Sequence, residues 1–259
     1  MMQVHILASG STGNAVLIEM GGKKFLVDIG ISAKRVELGL KGVGVQASEL
    51  DGVLITHEHS DHIKGLDVFI RRHKVPVYAR PATWGQISCR DKLPLECCFD
   101  LGEKLNIGSL QIEPFPISHD AIDPVGFSFC FGHTKCVLAT DMGMITEEVE
   151  QALSYADVLI LESNHDVGMV QTGPYPYFLK KRILGDQGHL SNVQAGNLLS
   201  SIDRKPHMEV FLAHLSQHNN TPRIAEETVV EVLCNHNCGV GDEIVLHRTH
   251  VDRTASFVG

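Results

Sequence analysis

The chain has 259 residues, 43% of them hydrophobic and 20% charged, which is the composition of a soluble globular protein. Its 31 acidic residues outnumber the 22 lysines and arginines, and the resulting net charge of -9 argues against a protein that coats nucleic acid by bulk attraction. A nuclease with a local basic strip is compatible with that charge, and no apolar run approaches the length of a membrane span.

The first forty residues predict three short strands followed by a helix. Strand patterns cover residues 4–7, 15–18 and 23–28, and residues 32–40 follow a helical pattern. The turn-rich segment 9–14 is either a plain hairpin loop or a flap that meets a phosphate, with Ser9, Ser11 and Asn14 as the contacting residues. Asp28 closes an apolar strand, where a carboxylate either caps the next segment or braces a neighbouring site.

Four potential metal ligands fall within the segment 57–62, between an apolar strand at 52–55 and a helix that starts at 65. His57 and His59 can point the same way on extended backbone, whereas Asp61 and His62 follow a turn and aim at a second point nearby. One turn then serves two metal ions with imidazole and carboxylate ligands. The structural alternative is a polar loop that happens to be rich in histidine.

The stretch from 65 to 112 mainly predicts scaffold. Its patterns indicate helices at 65–73 and 83–90, a strand at 76–79, and a hairpin of strands 105–107 and 110–112. Arg71 and Arg72 form either a solvated helix end that the dipole favours or a strip that steers phosphates. Trp84, the single tryptophan, is expected to pack in the core or at its rim.

Polar residues follow the apolar strands of the second half as well. His119 comes just past a strand, Asp141 follows the hairpin 125–131 and 135–139, and His214 follows strand 209–213. Strand ends on one edge of a sheet converge in space, which is where α/β proteins place their sites. We therefore expect these residues to serve the same site as the cluster at 57–62.

The remaining segments predict helices at 147–155, 193–202 and 221–234, with Thr146 and Ser191 as N-caps, and an edge strand at 244–246. Strands and helices alternate without a linker, so residues 1–259 are predicted to form one α/β domain of two sheets flanked by helices. Seven irregularly spaced cysteines and an N-terminus without a signal peptide favour reduced thiols in a cytoplasmic protein. A separate metal site at 234–238 lacks a full ligand set, and packed or loop thiols are the alternative.

The ordered set of strand-end ligands resembles the metallo-β-lactamase fold superfamily. Its five motifs match Asp28, then His57-x-His59-x-Asp61-His62, then His119, Asp141 and His214. The resemblance covers nearly the whole chain and implies an αββα four-layer sandwich with two divalent metal ions, Zn²⁺ or Mn²⁺ and also Fe²⁺, at the edge of the sheets. It assigns His57, His59 and His119 to one ion, Asp61, His62 and His214 to the other, Asp141 as their bridge, and Asp28 as a residue that holds the ligands in place.

Four further stretches are similar to the YycJ/WalJ-like branch of this superfamily: 9–14, 119–126, 162–166, and 175–177 through 188–192. The branch implies a 5′-to-3′ DNA exonuclease. The similarity of the segment after Gly188 to transfer-RNA processing relatives implies that His189 is an additional active-site histidine. His165, Lys180, Lys181, Arg182 and Asn192 are expected substrate contacts, the basic ones through backbone phosphates.

The expected chemistry is attack on a phosphodiester by hydroxide generated between two metal ions. His189 is predicted to act as the general acid, or alternatively only as a phosphate ligand, with Asp61 or Asp141 orienting the nucleophile. Two other functions stay open. One is a hydrolase of small phosphodiesters or RNA on the same metal site, and the other is a metal-binding regulator without activity. Strand preference, native metal and oligomeric state are not determined by the sequence.

Overall fold

Two seven-stranded β-sheets organise the chain in the computed structural model, which describes residues 1–259. The chain divides into two units. The first comprises Met1–Glu113, Ala121–Pro124 and Val251–Gly259, and the second comprises Pro114–Asp120 and Val125–His250. None of the helices is both long and apolar enough to cross a membrane. The assignment of residues 1–259 to one domain stays a prediction.

The first sheet has the strand order β14-β1-β2-β3-β4-β5-β6. Its strands are β1 (Met2–Ala8), β2 (Ala15–Met20), β3 (Lys23–Val27), β4 (Gly52–Leu54), β5 (Val77–Ala79), β6 (Cys98–Asp100) and β14 (Ala255–Val258). Strands β14, β1, β2 and β3 pair antiparallel, and β3 to β6 pair parallel. Val27 lies opposite Leu54, so the segments that follow β3 and β4 leave the sheet side by side.

The second sheet has the order β13-β12-β11-β10-β9-β8-β7. Its strands are β7 (Leu105–Ile107), β8 (Leu110–Pro116), β9 (Val125–Phe131), β10 (Thr134–Ala139), β11 (Val158–Glu162), β12 (Met208–Ala213) and β13 (Ile244–Arg248). Strands β10 to β13 are parallel, while β7 with β8 and β9 with β10 are antiparallel. Ala139 pairs with Leu161, and Glu162 pairs with Ala213, so β10, β11 and β12 end at the same level.

Nine α-helices connect these strands. They are α1 (Ala33–Gly42), α2 (Ser60–Ile63), α3 (Leu66–His73), α4 (Pro81–Gln86), α5 (Glu147–Leu153), α6 (Val167–Thr172), α7 (Tyr177–Ile183), α8 (Asn192–Ser201) and α9 (Pro222–Asn235). Short 3₁₀ turns lie at Ala47–Glu49, Arg90–Lys92 and Leu95–Cys97. Thr146 and Ser191 cap α5 and α8 through their side-chain oxygens, as predicted.

Each unit has its own hydrophobic core between one sheet and its helices. In the first unit, Leu17 and Val53 of the sheet pack with Val36 of α1 and Phe69 of α3. In the second, residues two apart in β10, β11 and β12 pack against α5, α8 and α9, because alternate strand residues face the same side. The predicted fold class, two mixed sheets flanked by helices, is confirmed.

Several predicted elements differ in extent from those observed. The predicted helix at 83–90 is the short α4 followed by a 3₁₀ turn, since Pro81 starts the helix early. Helix α6 and strands β6 and β14 were not predicted. Trp84 is buried in the core of the first unit and donates its indole N–H to the carbonyl of Phe99 at 3.0 Å, as expected for a packed tryptophan.

Candidate metal centre

The turn at 57–62 is fixed by main-chain hydrogen bonds from two other segments of the first unit. Asn14 N–H donates to the carbonyl of Asp61 at 2.8 Å, and Ile29 N–H donates to the carbonyl of His62 at 2.8 Å. A Cβ at Gly30 would lie 1.5 Å from the carbonyl oxygen of Asp61, so only glycine permits this approach. The conformation of the ligand turn therefore depends on the backbone and not on the ligand side chains.

Asp28 and Thr56 brace two of the predicted ligands. The carboxylate of Asp28 accepts from the backbone N–H and the hydroxyl of Thr56, both at 2.9 Å, and its Oδ2 lies 2.7 Å from Nδ1 of His62. The Thr56 hydroxyl is 3.0 Å from Nδ1 of His57. All four side chains are buried, so the bonds form in a low-dielectric environment where they orient the rings firmly.

Asp61 and His62 lie in the one-turn helix α2, which begins after His59. Asp61 Oδ2 is 3.5 Å from Nε2 of His62, and the ring centroids of His57 and His59 are 4.6 Å apart. The sequence predicted a turn here, and the short helix explains why Asp61 and His62 leave the direction of the preceding extended segment. Four ligand-type side chains of the first unit are thus brought together.

In the second unit, Asp141, Glu162 and His214 come at or just after the ends of β10, β11 and β12. Glu162 Oε1 lies 2.8 Å from Nδ1 of His214, and Asp141 Oδ1 lies 3.4 Å from the same nitrogen. Together with His189, these residues place one ligand-type atom each within 4.8 Å of one another. The parallel register therefore assembles a cluster that can hold a metal ion.

Glu162 is the buried centre of this cluster. Its Oε1 also accepts from Nδ1 of His189 at 2.9 Å, and its Oε2 accepts from the backbone N–H of Met142 and Leu190 at 2.8 and 3.0 Å. Burial opposes ionisation of the carboxyl, but the charges and hydrogen bonds of His189 and His214 outweigh it and hold the pKa of Glu162 well below its usual range. Glu162 therefore orients two imidazoles as a carboxylate.

His119 lies in the loop after β8, in the second unit. Its Nδ1 donates to the carbonyl of Gly188 at 3.2 Å, and its Nε2 is 3.7 Å from Asp141 Oδ1 and 3.4 Å from Asp120 Oδ1. Burial lowers the pKa of His119, with the charge of Asp141 opposing, which favours the neutral imidazole that metal ions require.

Four buried histidines share one orientation, with Nδ1 bonded to a protein oxygen. They are His57, His62, His119 and His214. Because Nδ1 bonds to the protein in each case, a metal ion would be bound through Nε2. This arrangement of imidazoles and nearby carboxylates fits a divalent metal ion in each unit's ligand set.

Three of the strand-end residues adopt left-handed backbone conformations, with φ of 61° at Asp28, 64° at Asp141 and 55° at His214. A non-glycine residue in this region costs free energy and persists only when the surroundings impose it. Each residue lies one or two positions after the end of a buried strand. No sequence pattern indicated this feature.

The predicted substrate contacts have different environments. Asn14 is buried, with its amide 3.4 Å from the Asp61 carbonyl and its side-chain oxygen accepting from Gly10 N–H, and Ser9 is within 3.5 Å of that oxygen. Ser11 is exposed. The side chain of Asn192 bonds to Ser163 and Asn220, an arrangement that braces the loop after β11.

The basic candidates are exposed to different degrees. Arg71 and Arg72 pair with acidic residues, Asp67 at 2.5 Å and Glu37 at 2.6 Å, which favours the solvated helix end over a phosphate strip. The other three lie on α7: Lys180 bonds to a main-chain carbonyl, Arg182 pairs with Asp120 at 2.5 Å, and Lys181 is exposed.

Three residues that hold predicted ligands in place were not predicted from the sequence. Thr56, Glu162 and Asn164 orient ligands without themselves matching a ligand spacing; Asn164 does so by donating to the carbonyl of His214 at 2.7 Å. A signal was present for Glu162, since it ends a buried apolar strand as Asp28 and Asp141 nearly do. Nothing in the sequence marks Thr56 or Asn164 apart from their position beside a ligand.

Comparisons with known proteins agree with this geometry. Residues 24–215 match the family model described as a β-lactamase superfamily domain. The chain therefore belongs to the β-lactamase superfamily, in its metallo-β-lactamase fold. The metallo-β-lactamase fold protein YhfI from Bacillus subtilis matches 98% of this chain and 99% of its own, with a TM-score of 0.73 at 18% identity, which supports the fold alone.

Two relatives show to which branch of the superfamily the chain belongs. It is 38% identical over 255 residues to exodeoxyribonuclease YycJ of Bacillus anthracis, across 96% of this chain and 95% of that protein. It is 36% identical over 256 residues to exodeoxyribonuclease WalJ of Streptococcus pneumoniae, across 95% and 94%. The chain thus falls in the YycJ/WalJ-like branch, as its motifs indicated.

The role of Asp28 leads to a testable expectation. Asp28→Asn keeps the size and tolerates the left-handed backbone, but it removes the charge that holds His62 Nδ1. We expect metal affinity, measured by competition with a chromophoric chelator, to fall about 10- to 100-fold. Asp51→Asn is the matched control, because Asp51 also accepts a backbone N–H and pairs with Lys23 but contacts no predicted ligand. Equal affinities for the two variants would remove Asp28 from the site.

His165 makes acid stability a second expectation. It is 1% exposed and neither ring nitrogen has a hydrogen-bond partner, and burial lowers its pKa to about 4 against the opposing charge of Glu162. Because the unfolded imidazole titrates near 6.5, the unfolded state binds more protons between pH 6.5 and 4, and stability falls as pH drops through that window. Relative to neutral pH, the free energy of unfolding is lowered by on the order of 3 kcal/mol at pH 4 through this one residue.

Urea unfolding of the metal-free protein at pH 7, 6, 5 and 4.5 measures this contribution. His165→Gln is expected to lose less free energy of unfolding than the wild type over the same range, since carboxylates titrate alike in both. If the free energy of unfolding falls equally with pH in the wild type and in His165→Gln, His165 is not held neutral in the folded protein.

Proposed function

We propose that the chain is a dinuclear-metal phosphodiesterase that degrades DNA from the 5′ end. Membership of the YycJ/WalJ-like branch supports a nuclease, and the names of both curated relatives support DNA as its substrate. The observation that carries the proposal is the shared orientation of the buried histidines, whose Nδ1 atoms bond to Thr56, Asp28, the Gly188 carbonyl and Glu162. A merely structural set of histidines has no need of one common tautomer.

The ligand assignment follows the superfamily motifs. By those motifs, one ion would be held by His57, His59 and His119, the other would be held by Asp61, His62 and His214, and Asp141 would be available to both. Bound divalent ions would lower the pKa of water and offset charge on the phosphate. Zn²⁺ and Mn²⁺ suit these ligands, and Fe²⁺ is compatible with them.

Residues of the protein protonate the leaving oxygen and bind the backbone of the DNA strand. Glu162 holds Nδ1 of His189, so the proton for the leaving oxygen is delivered from Nε2 of that ring. His189 is partly exposed, as a group that meets substrate must be. The cations of α7 contact the backbone phosphates of the strand, a local contact that suits a protein of net charge -9.

The decisive test uses DNA labelled at the 3′ end, as 5′-phosphorylated duplex and as single strands, with Mn²⁺ or Zn²⁺ supplied. Stepwise shortening that retains the label is expected, because degradation starts at the opposite end. Asp61→Ala, which lacks a proposed ligand, is the control for contaminating nucleases. Early release of labelled mononucleotide would show that degradation starts at the 3′ end and would contradict the proposed direction. If DNA stays intact while bis(p-nitrophenyl) phosphate is hydrolysed, the metal site is active but the proposed substrate is wrong. RNA or a small phosphodiester then becomes the expected substrate.

A further inference from the structure

Helix α7 presents two adjacent aromatic rings to solvent. Tyr177 is 81% exposed and Phe178 is 73% exposed, and no residue of this seven-residue helix is buried. Among the aromatic residues of the chain, only Phe99 and Tyr155 are otherwise strongly exposed, and the ring of Phe99 stacks on that of Tyr78 at 5.4 Å. Contiguous exposed apolar surface is a feature of interaction sites, which makes this pair a candidate contact surface.

The rings are held on a well-anchored segment. Lys180 Nζ donates to the carbonyl of Gln171 at 2.7 Å, and the ring of Tyr175 meets that of His218 edge to face at 5.9 Å. Beyond the helix, the hydroxyl of Ser118 donates to the carbonyl of Asp186 at 2.6 Å. The exposure of the two rings therefore belongs to an ordered helix and not to a loose end.

The same helix is tied directly to His189. The backbone N–H of His189 donates to the carbonyl of Ile183, the last residue of α7, at 3.1 Å. A Cβ at Gly188 would lie 2.3 Å from that carbonyl oxygen, so the chain passes too closely for any other residue. An open cavity of about 560 Å³ at the C-terminal end of the helix is lined by Asp120, Lys181, Arg182, Gly185, Asp186 and Gln187. The proposed proton donor is thus joined by a main-chain hydrogen bond to the C-terminal end of α7.

The charges and spacing of α7 match a nucleic-acid strand. Residues three and four apart on a helix are neighbours, so Tyr177 adjoins Lys180 and Lys181, and Phe178 adjoins Lys181 and Arg182. A base on either ring then has a cation beside its phosphate. The helix rises about 9 Å from Tyr177 to Ile183, and stacked nucleotides are about 3.4 Å apart. The rings thus lie about three nucleotides from the segment that carries His189.

We propose that Tyr177 and Phe178 form a stacking platform for unpaired bases of the strand that is being degraded, about two to four nucleotides from the scissile phosphate. This inference rests on the proposed nuclease function. Aromatic rings accept every base because each base has a π-face, so the platform adds affinity without sequence preference. On duplex DNA, the end must be unpaired over these positions before the strand reaches the rings.

Binding without turnover is the first test. Fluorescence anisotropy measures the affinity of Asp61→Ala for a labelled 5′-phosphorylated oligothymidine of ten nucleotides. Adding Tyr177→Ala or Phe178→Ala is expected to weaken binding about 5- to 150-fold, and Tyr177→Phe and Phe178→Trp are expected to restore it. Tyr155→Ala, an exposed tyrosine of the same unit, is the matched control and should leave affinity unchanged. If the aromatic and alanine variants bind alike, the platform is refuted.

Abasic substitution locates the platform on the strand. An oligonucleotide lacking the bases at the second to fourth positions should bind the parent protein as weakly as intact DNA binds the alanine variants. Combining both changes should add little, because each removes the same stacking contact. Additive losses would refute the contact.

Two further outcomes separate competing explanations. If the alanine variants lose binding to phosphatidylserine vesicles but keep their affinity for the oligonucleotide, α7 is a membrane-surface helix and the proposal falls. If the wild type cleaves no DNA while oligonucleotide affinity still depends on the rings, the platform stands and the exonuclease function fails. If the protein cleaves DNA and neither cleavage nor binding depends on the rings, the exonuclease function stands and the platform is refuted.

Discussion

Asp61→Ala is expected to lower DNA cleavage by at least about 10³-fold, because losing even a residue that only orients a metal ligand costs 10- to 100-fold. Metal content, measured by mass spectrometry after dialysis, should fall below that of the wild type. The fold should persist, since the turn around Asp61 is held through its carbonyl oxygen by the backbone N–H of Asn14. The side chain can therefore be removed without releasing the turn.

The control for this variant is Asp91→Ala, which removes an exposed carboxylate of the same unit outside the site. It should retain wild-type activity and metal content. If Asp61→Ala keeps its metal and cleaves DNA at the wild-type rate, Asp61 is not a ligand and the motif assignment fails at this position. Loss of activity with loss of the circular dichroism signal would contradict the backbone argument instead.

The candidate ligand positions stand out in the sequence because metal coordination requires particular residue types at particular spacings. Spacing such as that of His57, His59, Asp61 and His62 is hard to explain otherwise, and each later ligand follows an apolar strand that periodicity reveals. The predicted elements of the two sheets were likewise largely observed, because alternating and continuous apolar runs determine which segments become strands.

The parts of the site that could not be predicted depend on long-range contacts or on backbone conformation. Thr56 and Asn164 matter through the partners that folding brings to them, and their residue types are common in ordinary loops. The left-handed conformations of Asp28, Asp141 and His214 are backbone features that these residue types do not by themselves reveal. Strand β14 was missed because it pairs with β1, the strand farthest from it in sequence, and its own pattern is short.

Glu162 connects these two kinds of information. Its position at the end of an apolar strand was visible, but its function follows only from the four hydrogen bonds that converge on it in the fold. Because one carboxylate orients both His189 and His214, the proposed proton donor and one proposed metal ligand are positioned together. A change in Glu162 is therefore expected to affect metal binding and proton delivery at once, unlike a change in His189.

His189→Ala is expected to slow cleavage of DNA about 10²- to 10⁴-fold, the usual contribution of a general acid. It should slow bis(p-nitrophenyl) phosphate hydrolysis much less, since p-nitrophenolate leaves without taking a proton. The geometry supports this separation, because Nδ1 bonds to Glu162 and only Nε2 can reach the leaving oxygen of a bound strand. The measurement is the ratio of kcat for the two substrates in wild type and variant.

The matched control is His247→Ala, which breaks another histidine–glutamate pair of the second unit, with Glu209 at 2.5 Å, away from the ligands. It should leave the ratio unchanged. Equal losses on both substrates for His189→Ala would assign His189 to binding the phosphate and not to proton transfer. Glu162→Gln should lose activity on both substrates whichever role His189 has, because His214 loses its partner as well.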